Sequence, residues 1–185
     1  MRIATIGRGN IGGGLAKLWR AAGHDLTEIG REGGDVSDAE AVLVAVPGGA
    51  IAAALSAVTG LEGKTALDAT NLYGDVVPPQ GLDSNAEYVK SVTGGPTAKA
   101  FNINFASLFD QVAAARTPPG NFWCGDEEAR EAVETLCRDA GYEPICTGPL
   151  RNASLQEGVV PFISAIAKDG GMGQYFYRFA PPDRF

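Results

Sequence analysis

Apolar positions along this chain fall into short runs that alternate with stretches of helical spacing. Residues 2–6 make a brief apolar strand, after which Ile11, Leu15, Leu18 and Ala22 recur on one face of a helix. Gly23 supplies a helix stop, and residues 24–29 return to a strand pattern. Residues 42–46 are continuously apolar, as in a strand buried on both faces. That run ends in Pro47-Gly48-Gly49, which opens a predicted helix over about 50–58. Further on, the pattern predicts a strand at 64–71, a helix at 84–92, a short strand at 98–101 and a helix at 104–115. A strand begins at 122–124, and Asp126 is placed to cap a helix carrying Val133, Leu136 and Ala140 on one face. The last strand is 143–147. Strand alternating with helix over this length predicts an α/β fold built on a doubly wound, mainly parallel sheet. Residues 155–168 are helical and largely apolar, with a kink or break expected at Pro161. The expected division is residues 1–150 for the sheet domain and 151–185 for a short C-terminal helical segment.

One connection is too short for the pattern. Only a glycine-rich, acidic stretch separates Arg31 from the strand that starts at Ala41. A crossover helix needs more room, so a loop or single turn is expected, with Ser37 and Glu40 at capping-box spacing.

The chemistry concentrates between the first strand and the first helix. Gly7-Arg8-Gly9-Asn10-Ile11-Gly12 is a G-x-G-x-x-G placed between a strand and a helix, with a second strand following. In that context it is a dinucleotide fingerprint. Gly7 permits the tight turn, Gly9 lets backbone approach a pyrophosphate, and Gly12 lets helix and strand pack closely. Unpaired N–H groups at the helix start then hold the diphosphate. The second strand ends in Ile29-Gly30-Arg31, where an NAD site usually carries an acid. A guanidinium there grips a ribose 2′-phosphate, and Arg8 can approach it from the other side, which favours NADP. Glu28 and Glu32 lie close enough in sequence to count against that choice. Val46 and Pro47, at a strand's carboxyl end, are expected beside the adenosine. Asn71, at another carboxyl end, either bonds the ribose or nicotinamide or simply serves the turn before Tyr73.

Charge and composition narrow the partners. A formal net charge of −7 makes nucleic acid and anionic membrane poor ones, leaving a small-molecule substrate. The most apolar late stretch, residues 159–167, is about half a membrane span. No basic segment precedes an apolar run, so no signal peptide is expected and a cytoplasmic location is the default. Cys124, Cys137 and Cys146 lack C-x-x-C spacing, so neither a disulfide framework nor a zinc site is expected, and each cysteine is expected to be buried. His24 has no ligand-spaced companion, so no metal is expected and a structural role is assigned. Near the end, Tyr175, Phe176, Tyr177 and Phe179 form an aromatic cluster. It packs over a flat ring ligand or a second copy of the chain, making a homodimer plausible, or it closes the core.

Several of these stretches together resemble one family. The glycine fingerprint, Val46-Pro47, Ala100-Phe101-Asn102, Gly148-Pro149-Leu150-Arg151-Asn152 and Gly171-Met172-Gly173 with Phe179 are similar to the NADPH-dependent reductases of coenzyme F420, an 8-hydroxy-5-deazaflavin. The similarity runs over nearly the whole chain. Its last two motifs are far more particular than the fingerprint, which many oxidoreductases share. The resemblance implies a Rossmann domain carrying NADP and a C-terminal segment that shapes the deazaflavin pocket. It places Arg8, Asn10, Ile11 and Arg31 around the pyrophosphate and 2′-phosphate, Phe101 and Asn102 near the nicotinamide and substrate, and Met172 and Gly173 near the deazaflavin. The family often has Ser-Arg where this chain has Gly30-Arg31, so one hydroxyl contact is lost. Relatives also include reductase domains of membrane ferric reductases, so the electron acceptor stays open. Direct hydride transfer between two rings needs no acid, base or nucleophile, and none stands out. The rival readings are an imine or keto reductase of the pyrroline-carboxylate or hydroxyacid type, and a nucleotide sensor without turnover. The first needs a larger domain than roughly thirty-five residues after Thr147 provide.

Overall fold

A computed structural model describes residues 1–184. The strands are β1 (Arg2–Ile6), β2 (Asp25–Ile29), β3 (Gly34–Asp35), β4 (Ala41–Val44), β5 (Val58–Thr59), β6 (Thr65–Asp68), β7 (Thr97–Ala100), β8 (Gly120–Gly125) and β9 (Glu143–Cys146). The helices are α1 (Asn10–Ala21), α2 (Ile51–Ser56), α3 (Asn85–Thr93), α4 (Arg130–Asp139), α5 (Ala153–Gly158) and α6 (Val160–Lys168). Seven strands form one sheet in the order β2-β1-β4-β6-β7-β8-β9, while β3 and β5 pair separately. From β2 to β7 every pair is parallel. β8 turns antiparallel to β7, and β9 follows β8 in parallel. The fold is therefore the expected Rossmann-type α/β sheet with helices following it at the C-terminus.

Side-chain alternation explains why the sheet is covered on both faces. Ile3, Leu43 and Leu67 join Leu15, Trp19, Phe109, Val133 and Leu136 in one core, while Ala4, Ile6, Val42, Val44 and Ala66 join Ile51, Leu55 and Val89 in the other. Neighbours along a strand point to opposite faces, so continuously apolar strands feed two cores at once. α1 buries Leu15, Ala16 and Trp19, with Ile11 and Leu18 of the expected face packed against the same core and only Ala22 of that face exposed. Trp19 decides that rotation: its ring is fully buried and its Nε1–H donates to the Leu136 carbonyl in α4 at 2.8 Å.

Other expectations are corrected by local bonding. Residues 104–115 hold a 3-10 helix, Ala106–Ala114, and its buried residues Phe109 and Val112 stand three apart, the eclipsed spacing of that helix. Asp126 does not cap its helix, because its Oδ2 instead accepts from Lys90 Nζ and from the Thr97 N–H, each at 2.8 Å. The short connection holds no helix, as expected, but it carries the two-residue strand β3 and has no capping box. Ser37 Oγ donates to Asp35 Oδ1, and Glu40 Oε2 accepts from the Arg2 N–H. The break at Pro161 is present, with α5 ending at Gly158 and Pro161 in the first turn of α6. His24 is structural, its ring lying between the N-terminal amine at 3.1 Å and Asp139 at 2.8 Å. All three cysteines are free. Burial pushes the thiols of Cys124 and Cys137 up, to about 11 and about 12, whereas Cys146 is exposed at the strand end, contrary to expectation. Among the described residues no cluster of potential metal ligands occurs, and no helix is long and apolar enough to cross a membrane.

Candidate functional site

The chain leaves β1 for β2 on one side and returns to β4 on the other, so a crevice opens at the carboxyl ends of β1 and β4. A cleft of about 880 Å³ occupies this place. Its floor is Ile6, Gly7, Arg8 and Gly9; one rim is Gly30, Arg31 and Glu32; the other is Ala45, Val46 and Pro47. Ala50, Ala53, Ala54 and Ala57 complete it, at the spacing of one helix face. This alanine face supplies a flat apolar wall that the missing crossover helix cannot.

The three fingerprint glycines are glycine for different reasons. Gly7 has φ +106°, and a Cβ there would lie 2.2 Å from the Ala45 carbonyl oxygen. A Cβ on Gly12 would lie 1.9 Å from the Gly7 carbonyl oxygen. Gly9 differs: its φ is an ordinary −76°, and a Cβ there would meet no protein atom within 4 Å. The protein's own packing makes no demand for glycine at that position. Gly9 is also the N-cap of α1 and makes no side-chain cap. The first helical bond runs from the Gly13 N–H to the Gly9 carbonyl, leaving the N–H groups before it without helical partners. Bare backbone, unpaired donors and the positive end of a 12-residue helix suit a diphosphate.

Arg8 and Arg31 both line the cleft, as the sequence predicts. Arg8 is already engaged, its Nη2 lying 3.0 Å from Glu32 Oε2. Gly30 makes room for this pair, since a Cβ on it would fall 2.1 Å from Arg8 Nη2 and 2.4 Å from Glu32 Oε2. Asn10 and Ile11 belong to the first turn of α1 and Gly12 is buried beneath it.

A second polar centre lies at the carboxyl ends of β6 and β7. Asn102 Nδ2 donates to Asn71 Oδ1 at 2.8 Å, and Asn71 Nδ2 donates back to the Asn102 backbone carbonyl at 2.5 Å. Gln156 Nε2, from α5, donates to Asn102 Oδ1 at 2.7 Å and to the Phe122 carbonyl at 3.1 Å. Asn102 is thus bonded on both sides within the protein and braces three segments. Phe101 stands just before it with φ +63°, a left-handed conformation rare for an aromatic residue. Its N–H donates to Asn121 Oδ1, and its ring is buried edge-on between Trp19 and Tyr142. The expected substrate contact through Phe101 is therefore corrected: its ring belongs to the core and has no surface to offer a ligand.

Beneath these amides lies an ion cluster that sequence reasoning missed. Lys99 is fully buried, and its Nζ lies 2.6 Å from Asp68 Oδ2, 2.8 Å from the Thr70 carbonyl and 2.7 Å from Glu157 Oε1. Burial opposes the Lys99 charge, but the two carboxylates outweigh it and hold its pKa above the usual lysine value. Burial likewise raises the Glu157 carboxyl against the pull of Lys99. Lys99 donates to Asp68 and to the Thr70 carbonyl and pairs its charge with Glu157, so it ties α5 to the sheet. The C-terminal aromatics close over the neighbouring strand: Tyr177 stacks on Phe122 at 4.9 Å, and its carbonyl accepts from the Gly120 N–H. Met172 and Gly173 are exposed in the turn after α6 and are not brought to the cleft.

No family model matches the chain. Among solved structures, it is similar to a protein from Arthrobacter sp. FB24 that carries the provisional name F420-dependent NADP-reductase. The two share 22% identity and a TM-score of 0.79, over 98% of this chain and 100% of that one. A hypothetical protein from Sinorhizobium meliloti matches at 22% identity and a TM-score of 0.66, over 97% of this chain and 94% of that one. A reductive aminase from Aspergillus terreus, in complex with NADPH and ethyl levulinate, matches at 15% identity and a TM-score of 0.66. There the match spans 92% of this chain but 62% of the aminase. What these proteins share with this chain is the Rossmann-type fold.

Proposed function

We propose that this chain is an NADP(H)-dependent oxidoreductase that passes a hydride between the nicotinamide and coenzyme F420 or a similar flavin-like acceptor. The observation that carries the cofactor reading is Gly9. It is bare backbone over open space, at the N-terminus of α1, in a cleft rimmed by Arg8 and Arg31. With the pyrophosphate at Gly9 and the adenosine against the alanine wall, the nicotinamide extends toward Asn71 and the braced Asn102. The nicotinamide ring supplies the hydride chemistry, and the protein contributes alignment and exclusion of water. Amides neither take up nor release protons at neutral pH, so the polar centre at β6 and β7 suits transfer between two rings better than reduction requiring a general acid.

The likeness to the Arthrobacter protein supports the F420 reading because it extends over that protein's whole length. The aminase instead has more than a third of its chain unmatched here. Imine or keto reduction is therefore the second reading. Mixing the protein with NADPH and oxidised F420 separates them: loss of the deazaflavin absorbance in step with NADPH oxidation is expected. Turnover of a cyclic imine with the deazaflavin unchanged would favour the second reading, and binding without turnover would leave a nucleotide sensor.

A further inference from the structure

The strand end after β2 carries three residues in succession that face the same part of the cleft, Gly30, Arg31 and Glu32, and Arg8 reaches them from the glycine turn. Glu32 is a carboxylate at the place where a 2′-phosphate would be held, and it is in contact with one of the two guanidiniums that would hold it. Gly30 lies directly beneath the contact, and a Cβ there would make the mobile ends of both Arg8 and Glu32 shift. Both partners are more than half exposed, at 53% and 59%, so the pair is inexpensive to open and close.

We propose that Glu32 is a specificity-determining residue that moderates the choice between NADP and NAD by competing with the 2′-phosphate for Arg8. The inference rests on the dinucleotide reading of the cleft. A carboxylate accepts hydrogen bonds but donates none. A 2′-hydroxyl can donate to Glu32 while the Arg8–Glu32 pair stays closed, so NAD is tolerated. A 2′-phosphate repels Glu32 and binds only once Arg8 has been released from it. Arg31, for which no ion pair occurs among the described residues, then supplies the standing attraction for the phosphate. Glu32 is accordingly a brake on NADP, and the bare Gly30 leaves the space in which its pair with Arg8 forms.

The test is titration of the full chain with NADP+ and with NAD+, by calorimetry, for wild type, Glu32→Gln and Arg31→Ala. Glutamine keeps the size of Glu32 and removes its charge. The ratio of NADP+ to NAD+ affinity is expected to rise roughly five- to tenfold in Glu32→Gln, and to shrink toward unity in 0.5 M salt as charges are screened. In Arg31→Ala the same ratio is expected to fall. An unchanged ratio in Glu32→Gln, or a shift toward NAD+, alongside a normal response in Arg31→Ala, overturns the role of Glu32 and leaves the dinucleotide reading standing. Wild-type protein that binds neither nucleotide overturns both.

Discussion

Gly9 and Gly12 separate what a ligand demands of a residue from what the fold demands. Gly12→Ala forces a methyl to 1.9 Å from the Gly7 carbonyl oxygen, so α1 must lift from the turn. Overpacking of this kind costs about 1–3 kcal/mol, read as a lowered melting temperature. Gly9→Ala has room and an ordinary backbone angle, so its stability should change by less than about 1 kcal/mol. Its NADP+ affinity should nevertheless drop at least tenfold by titration, because the methyl fills the space meant for the pyrophosphate. Stability loss without binding loss at Gly9 would remove the argument for a ligand there. At this scale the sequence was legible wherever backbone geometry imposes a residue type. The order strand, glycine turn and helix located Gly7, Gly9 and Gly12, as well as the Arg31 rim. It did not reveal that Arg8 is engaged by Glu32, since neither partner's rotamer is set by spacing. Nor could it show that Phe101 turns left-handed and buries its ring, because the packing that pins it comes from Trp19 and Tyr142, far away in sequence.

Among the elements, α5 is the one whose place depends on charge. Asp68 and Lys99 are direct partners in the register of β6 and β7, and Glu157 descends on them from α5. Lys99→Met leaves two buried carboxylates facing each other, a loss of about 3–5 kcal/mol that urea unfolding would register. Neutralising the carboxylates as well, with Asp68→Asn and Glu157→Gln, should recover most of that loss. Failure of the triple variant to recover would mean that Lys99 matters for its shape rather than its charge. These residues escaped sequence reasoning because they come from three distant segments, and each alone reads as an ordinary surface charge. A signal was available: Asp68 and Lys99 are charged positions at the carboxyl ends of otherwise apolar strands. The helix predicted at 104–115 failed for a related reason. Its apolar residues fit spacings of both three and four, and packing of Phe109 over Gly14 and Tyr142 and of Val112 over Gly141 selected three. The alanine wall was likewise present in the sequence as Ala50, Ala53, Ala54 and Ala57, but small residues carry little hydrophobic signal, so its facing was not apparent.

Over the whole molecule, the sheet order puts the cleft and the amide centre on the same edge, at the carboxyl ends of the strands. The doubly wound pattern followed from alternation along the chain, whereas the reversal of β8 did not, because an antiparallel strand buried on both faces has the same pattern as a parallel one. The central claim, that a dinucleotide lies across this edge with its pyrophosphate at the start of α1, is tested most directly by amide chemical shifts of the isotopically labelled chain during titration with NADP+. Large shifts are predicted at Gly9, Asn10 and Ile11, with smaller ones at Arg31 and Ala54. Saturating nucleotide that leaves the amides of residues 9–11 unmoved would contradict the account.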